Sequence, residues 1–394
     1  MNRRQLLQIA AAAPLYSVAG RLFAAGPQNP RLLVVFMRGG YDAANLLVPI
    51  ASDFYYESRP NIAIARPGAV ADAALPLDAD WGLHPALRDS IYPLWQRGQV
   101  AFVPFAGTED LTRSHFETQD SIEMGQAATG SHNFASGFLN RLSVALKGGQ
   151  PIGFTDQLPL ILRGEREVPN IALRSLGKPA VDERQSAIIA DMYRQTKLAA
   201  TVSEGFGVRV NVMREMAEEM DAASRGAITA KGFELEARRI AKLMKERFNV
   251  GFVDVGGWDT HVSEGGATGY LAGRLEELGR GLAAFADELG PAWSDTVVMV
   301  ISEFGRTFRE NGNRGTDHGH GSVYWVLGGR VAGGRLRGDQ VRVTQPTLFQ
   351  NRDYPVRNEY RSVFGGLFAR MYGLSAAQLQ TVFADVPARD LGLV

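Results

Sequence analysis

The sequence predicts an α/β fold in which helices cover both faces of a mainly parallel sheet. Short, continuous apolar runs are typical of strands buried on both faces. Segments with apolar residues at helical spacing separate these runs, and such an alternation is typical of parallel sheets. The composition agrees, since 394 residues that are 45% hydrophobic and 21% charged can bury a large core.

Five apolar runs are the predicted strands. They are residues 31–37, 99–105, 249–255, 296–301 and 323–327. The first, third and fifth are followed directly or after one residue by two glycines, as expected where a buried strand enters a tight turn.

The predicted helices lie mostly between these strands. They are residues 85–97, 115–124, 187–200, 208–222, 230–248, 271–289 and 357–374. Residues 183–245 are almost wholly helical in pattern and contain no histidine, which predicts a helical insertion or cap. We expect it to interrupt one α/β domain of residues 27–394.

The N-terminus is predicted to be a targeting segment. Arg3 and Arg4 precede two leucines, an alanine-rich apolar stretch and small residues, the layout of a secretory signal over residues 1–26. Paired arginines are typical of the twin-arginine (Tat) route, so we expect the Tat export machinery as a partner and a periplasmic or secreted protein. An N-terminal amphipathic helix is the alternative. No later segment approaches a membrane span.

Charge and cysteine content narrow the function. Lysine plus arginine number 42 and aspartate plus glutamate number 42, with no basic stripe, so nucleic acid is not an expected partner. The chain contains no cysteine, so any metal must be held by nitrogen and oxygen ligands.

Histidines and acids cluster in this chain. Four of the six histidines lie in three acid-rich segments: residues 114–117, 258–261 and, after Glu303, 316–320. Imidazoles and carboxylates brought together from distant segments are typical metal ligands. A metal-dependent enzyme is therefore the leading interpretation.

Two carboxylate segments follow predicted strands, where ligands bind in open α/β sheets. Asp42 comes just after the first strand, either as a cation ligand or as a turn residue bonded to its own backbone. Asp259 and His261 follow the third strand and, at positions i and i+2 of extended backbone, can share a face. A polar loop is the alternative for this pair.

The fourth and fifth strands bring further candidates. Glu303 directly follows the fourth strand, and Arg306 can pair with it in a structural salt bridge or bind an anionic substrate oxygen. Before the fifth strand, His318, His320 or both are candidate ligands, with Asp317 as a ligand or as a residue that orients one. An ordinary loop is again the alternative.

Ser114 opens a predicted helix and is a candidate nucleophile. The positive potential at a helix N-terminus favours an attacking alkoxide. Thr112 is a rival hydroxyl, and the neighbouring Arg113 can hold an oxyanion. The alternative is a capping box with Glu117. Outside these clusters, His84 is expected at the surface.

Together these motifs resemble the bacterial, twin-arginine-exported proteins grouped as domain of unknown function 1501. The matching segments are residues 38–42, 113–119, 257–261, 302–307 and 315–319, which run in the family's order over nearly the whole mature chain. That family is similar to the alkaline phosphatase and sulfatase superfamily, whose members hydrolyse phosphate or sulfate esters with one or two metals.

The resemblance implies an alkaline phosphatase-like fold and site. Asp42 would be a metal ligand and Ser114, or less favourably Thr112, the nucleophile. Asp259, His261, Glu303 and His318 would complete the metal site. The sequence departs from the superfamily where Phe304 follows Glu303 and where Asp259 and His261 lie close together. The second metal site of the superfamily is therefore expected to be altered, to be filled by His115 or His320, or to be missing.

Two functions follow as expectations. The first is an exported hydrolase of small anionic phosphate or sulfate esters, using one or two divalent ions (Zn, Mn, Mg or Ca), with Arg113 or Arg306 neutralising developing charge. The second is a non-catalytic, exported binding or assembly protein on a degenerate hydrolase fold.

Overall fold

The computed structural model describes residues 30–127, 132–173, 188, 191–199 and 232–394. The predicted signal segment and the predicted helix 208–222 lie outside the described residues, as do most of residues 183–232 of the predicted insertion.

A mixed, mostly parallel sheet forms the centre of the fold. Its strands are β1 (Arg31–Arg38), β5 (Val100–Gly107), β6 (Pro151–Gly153), β7 (Val250–Gly256), β8 (Thr296–Ser302), β9 (Ser322–Leu327), β10 (Arg335–Leu336) and β11 (Asn358–Glu359). The order is β10-β5-β9-β8-β1-β7-β6, with β11 also pairing with β5. The short strands β2 (Leu47–Val48), β3 (Leu75–Pro76) and β4 (Gly82–Leu83) form a separate antiparallel sheet.

Helices cover both faces of this sheet, so the fold is α/β. They are α1 (Ala43–Leu46), α2 (Asp53–Ser58), α3 (Ile91–Gln96), α4 (His115–Met124), α5 (Phe138–Ala145), α6 (Phe233–Glu246), α7 (Tyr270–Leu289), α8 (Tyr360–Tyr372) and α9 (Ala376–Val382). Alternate residues of β1 enter two cores. Leu33 and Val35 pack with α3, α6 and α7, whereas Leu32 and Val34 pack with α5, α8 and α9.

The central strands bring three loops to one edge of the sheet. Strand β1 lies between β7 and β8 and is parallel to both, with Met37 paired to Val255 and to Ser302. The loops that follow these strands therefore start side by side.

Strand β9 is the exception to the parallel pattern, because it runs antiparallel to β8 and to β5. The segment 303–321 leaves β8 at its carboxyl end and must return to the same edge to enter β9. Both ends of this segment thus lie at the edge where β1 and β7 end.

Predicted and observed elements agree at this level. Each predicted strand lies within two residues of an observed one, and α4, α6, α7 and α8 match predicted helices. Helix α6 ends the predicted insertion, yet it buries Phe233, Ile240 and Met244 against the sheet. Among the described residues, no helix is long and apolar enough to cross a membrane.

Candidate metal centre

Three side chains from three segments converge at this edge of the sheet. His115 is the first residue of α4, Asp259 follows β7, and His318 lies between β8 and β9. Their candidate ligand atoms all lie within 4.8 Å of one another. The Nε2 atoms of His115 and His318 are 2.9 Å apart, and His318 Nε2 is 3.3 Å from an Asp259 oxygen.

His261 adjoins this triad. Its Nε2 lies 2.9 Å from Asp259 Oδ1 and 3.1 Å from His318 Nε2. The close spacing of Asp259 and His261 in sequence thus places both side chains beside His318.

The opposite nitrogen of each ring faces a group that can only accept a hydrogen bond. His115 Nδ1 lies 2.8 Å from Glu303 Oε1, His261 Nδ1 lies 3.1 Å from Asp317 Oδ1, and His318 Nδ1 lies 3.0 Å from the carbonyl oxygen of Arg113. We therefore assign a proton to every Nδ1.

This assignment leaves the neutral rings with lone pairs facing one another. Each neutral imidazole has one N–H, so all three Nε2 atoms are then acceptors. Nε2 atoms about 3 Å apart can coexist only if a ring becomes a cation or if a positive ion lies among them. A metal ion meets this need without a protonated ring, and the orienting acceptor on each Nδ1 is typical of metal-ligating histidines.

Glu303 holds His115 in place. Fully buried, its Oε1 also accepts 2.8 Å hydrogen bonds from the Gly39 N–H and from Gln119 Nε2, and its Oε2 accepts one from the Ser302 hydroxyl. Burial alone would raise the pKa of Glu303, but the hydrogen bonds with His115, Gln119 and the Gly39 N–H hold it below its ordinary value. Its position favours an orienting role beside His115.

Arg306 holds Asp259. Its side chain is buried, and Nη1 donates to Asp259 Oδ1 at 2.6 Å while Nε and Nη2 bind the Thr316 hydroxyl and carbonyl. The guanidinium outweighs partial burial and lowers the pKa of Asp259, which keeps this carboxylate ionised. Arg306 is thus committed to neighbours within the chain.

The surroundings of His115 favour its protonated form, and those of His318 favour its neutral form. The hydrogen bond to Glu303 raises the pKa of His115, whereas partial burial lowers the pKa of His318. The pair therefore favours the neutral, ligand-competent form at His318.

Phe304 forms a wall behind the cluster. Its ring centroid lies 4.9 Å from that of His115 and 5.1 Å from that of His318. Gly40, with φ of 61°, lets the chain pass this ring, since a Cβ there would lie 2.4 Å from Phe304. The aromatic residue after Glu303 thus supports two imidazoles by packing.

Arg113 contributes its backbone to the cluster. It adopts a left-handed conformation with φ of 55°, and its carbonyl accepts from His318. Its guanidinium binds the buried Asp353 through Nε at 3.0 Å and Nη2 at 2.7 Å. The side chain predicted to hold an oxyanion is therefore paired with a carboxylate.

Ser114 precedes His115 at the start of α4 and is partly exposed. Its side chain makes no capping hydrogen bond, so the predicted capping box with Glu117 is wrong. Thr112 accepts a bond from the Ser114 N–H and lies 3.4 Å from the Thr118 hydroxyl. The Ser114 hydroxyl is free of the structural role that the sequence offered as an alternative.

Asp42 is held apart from the triad. It caps α1 and forms a fully buried ion pair with Arg59, whose Nη2 lies 3.0 Å from Oδ1. Arg59 outweighs burial and keeps the pKa of Asp42 below its ordinary value. The predicted ligand position is occupied by an arginine, because the chain brings α2 back against the end of β1.

Glu264 lies beside this pair and has no counterpart in the predicted site. It is fully buried, and burial and the Asp42 charge raise its pKa well above the usual range. Burial beside the Asp42 carboxylate therefore favours the neutral form of Glu264. An isolated glutamate in a loop carries no sequence pattern that marks it as buried.

The remaining histidines lie elsewhere. His320 is buried against Phe349, with ring centroids 5.0 Å apart, and is not in the triad. His84 is fully buried rather than at the surface, and that expectation is wrong. Its Nδ1 accepts from the Ala86 N–H and its Nε2 donates to the Gly266 carbonyl.

The fold and the triad define an α/β protein with a candidate metal centre at the carboxyl ends of adjacent parallel strands. The chain belongs to the family described as protein of unknown function (DUF1501), which matches residues 29–383. No curated protein matches the chain.

The chain is distantly similar to several solved structures. The chain is similar to a crystal structure of Ps i-CgsB in complex with k-i-k-neocarrahexaose, with 10% identity, a TM-score of 0.43 and coverage of 92% of this chain and 75% of that one. A second crystal structure of Ps i-CgsB gives 11% identity, a TM-score of 0.40 and the same coverages. At this level of similarity, neither bears on the function.

Proposed function

We propose that this protein is an exported, metal-dependent hydrolase of phosphate or sulfate esters. The observation that carries the proposal is the convergence of three Nε2 atoms beside Asp259 while every Nδ1 faces an acceptor. His115, His318 and Asp259 would hold the ion, with His261 adjoining. Ester substrates rest on the resemblance of the strand-end motifs to alkaline phosphatases and sulfatases.

The ligand types favour some ions over others. Imidazoles with one carboxylate suit Zn²⁺ or Mn²⁺, whereas Mg²⁺ and Ca²⁺ prefer sites made of oxygen atoms. We therefore propose one zinc or manganese ion per chain. When bound, such an ion supplies a Lewis acid for the ester oxygens.

The chain's own residues divide the remaining tasks. Glu303, Asp317 and the Arg113 carbonyl orient the three rings, and Arg306 orients Asp259. Ser114 is the proposed nucleophile, because its partly exposed hydroxyl lies at the N-terminus of α4, next to His115. A water molecule is the competing nucleophile.

One observation favours a second candidate, a non-catalytic binding or assembly protein. Arg306 is paired with Asp259, Arg113 with Asp353, and Asp42 with Arg59. The two arginines proposed to neutralise an anionic ester are thus already neutralised within the described structure. Such a site can bind a metal without turning over an ester.

A substrate panel separates the two candidates. Purified protein would be assayed with aryl phosphate and aryl sulfate esters in the presence of Zn²⁺, Mn²⁺ or Mg²⁺. We expect turnover that Ser114→Ala reduces by at least about 100-fold if Ser114 is the nucleophile, and that Asp259→Ala abolishes. Turnover unaffected by Asp259→Ala would contradict the proposed site, and no turnover with any ester would favour the binding protein.

Export is tested separately. The proposed signal depends on Arg3 and Arg4, so replacing both with lysine is expected to retain the protein in the cytoplasm. Fractionation of cells that produce the two forms measures this, and unchanged export would contradict the Tat route.

A further inference from the structure

Glu264 lies where three strand-end segments meet. Its Oε2 accepts hydrogen bonds from the hydroxyls of Thr260 and Thr316, each at 2.8 Å. Thr260 lies between Asp259 and His261, and Thr316 lies two residues before His318. One buried carboxyl oxygen therefore joins the two loops that carry most of the proposed metal ligands.

The same two loops are joined by their backbones. The Thr316 N–H donates to the Thr260 carbonyl at 3.0 Å, and the Glu264 N–H donates to the Arg314 carbonyl at 2.9 Å. The carboxyl of Glu264 thus adds side-chain hydrogen bonds to a backbone contact that already fixes the positions of the two loops relative to each other.

Hydrogen bonds connect Glu264 to Asp259 through Thr316 and Arg306. The hydroxyl of Thr316 donates to Glu264 and accepts from Arg306 Nε at 3.2 Å, and Arg306 Nη1 binds Asp259 at 2.6 Å. The Thr316 hydroxyl therefore connects the Glu264 carboxyl to the guanidinium that binds Asp259.

The third segment follows β1. Asp42 lies close enough to Glu264 for its charge to raise the pKa of Glu264. Asp42 also pairs with Arg59, whose Nε donates to the Phe308 carbonyl at 2.7 Å. The loop after β8 is therefore held at two points, at Thr316 by Glu264 and at Phe308 by Arg59. Glu264 touches none of the proposed ligand atoms, so any influence on the ion must pass through these neighbours.

We propose that Glu264 is a positioning residue of the metal centre, a buried carboxyl clamp that sets the metal affinity by fixing the loops that carry Asp259, His261 and His318. This inference rests on the proposed metal site. It assigns no contact with substrate to Glu264. Residues that orient metal ligands from outside the coordination sphere typically change affinity by about 10–100-fold when they are replaced.

The test is metal affinity in variants of the full mature chain. Zn²⁺ and Co²⁺ dissociation constants would be measured by competition with a chromophoric chelator, and Co²⁺ absorption would report ligand geometry. Glu264→Leu keeps most of the volume but accepts no hydrogen bond, so we expect affinity to fall about 10–100-fold and the Co²⁺ spectrum to change.

Glu264→Gln is the rescue variant. Its amide oxygen can still accept hydrogen bonds from both threonines, as Glu264 Oε2 does. We expect this variant to bind metal within about threefold of the wild type, given the ordinary scatter of a conservative change. Affinity as weak as that of Glu264→Leu would overturn a clamp made of these hydrogen bonds.

Asn140→Leu is the matched control. Asn140 is also buried and joins backbone segments through bonds of 2.8 Å and 2.6 Å to the Leu162 and Arg166 carbonyls, but it contacts none of the site residues. It should lower the melting temperature yet leave metal affinity and the Co²⁺ spectrum unchanged. Equal loss of affinity in both variants would make Glu264 merely structural.

If Glu264→Leu does not fold, the test uses Thr260→Val and Thr316→Val instead. Each of these variants removes one hydroxyl that donates to Glu264. Weaker metal binding in either supports the clamp, and wild-type affinity in both overturns it. No metal binding by the wild type would instead overturn the proposed metal site itself. If the wild type and a folded Glu264→Leu variant bind metal equally well, only the clamp would be overturned.

Discussion

An acceptor that faces Nδ1 sets the ring orientation of His115, His261 and His318. Glu303, which faces His115, is the most strongly anchored of these acceptors. Its buried carboxylate receives bonds from His115, Gln119 and the Gly39 N–H at one oxygen. A negative charge at this point makes His115 a better ligand as well as an oriented one.

Replacing Glu303 should therefore weaken metal binding. Glu303→Gln removes the charge while keeping the shape, and we expect the Zn²⁺ dissociation constant to rise by about tenfold or more. Asp53→Asn is the control, since Asp53 is exposed and pairs with Arg66 at the surface. Isothermal titration would show the difference, and equal affinities in the two variants would contradict the orienting role.

Sequence reasoning reached the residues of the triad and the supporting residues near them in sequence, but it missed Arg59 and Glu264. Asp259, His318 and His115 were predictable because most of the few histidines lie in short segments together with acids. Their separation from Asp42 was not predictable, because Arg59 follows a helix that is remote from the predicted clusters and carries no pattern of its own. Long-range pairing of this kind depends on tertiary packing, which a single sequence does not display.

At the level of elements, strand direction decides where the site forms. Parallel pairing of β1 with β7 and β8 aligns their ends, and the antiparallel strand β9 returns the 303–321 segment to the same edge. The apolar runs predicted the strands themselves. They could not predict that β9 is antiparallel, since a fully buried strand has the same composition in either direction.

The Asp42–Arg59 pair connects the N-terminus of α1 to the C-terminus of α2 and should be important for stability. Arg59→Met leaves Asp42 buried without its cation, which typically costs about 3 kcal/mol or more of unfolding free energy. The control Arg66→Met breaks a surface pair with Asp53 and should cost about 1 kcal/mol or less.

Urea denaturation of both variants at neutral pH measures the comparison. Equal losses of unfolding free energy would show that the Asp42 carboxylate finds another partner, and would contradict the proposed structural role of the ion pair.

At the scale of the whole molecule, His84 should make stability depend on pH. Burial lowers its pKa to about 4, against about 6.5 in an unfolded chain. Between these values the unfolded state binds a proton that the folded state does not. The free energy of unfolding should therefore fall as the pH falls from about 6.5 to about 4, by up to about 1.4 kcal/mol per pH unit from this residue.

His84→Asn tests this dependence, because asparagine can still accept from the Ala86 N–H but does not titrate. Measured with excess chelator, its unfolding free energy should fall less steeply over this pH range than that of the wild type. His132→Gln, at an exposed histidine, should leave the slope unchanged. Identical slopes for all three proteins would contradict a buried, neutral His84.

The central claim is that the convergent imidazoles hold a metal ion, and metal content measures it most directly. Mature protein purified after native export would be analysed for bound elements beside a His115→Ala, His318→Ala double variant shown to be folded by circular dichroism. We predict one zinc or manganese ion per wild-type chain and none in the variant. A folded wild type without bound metal, or a variant that retains it, would contradict the claim.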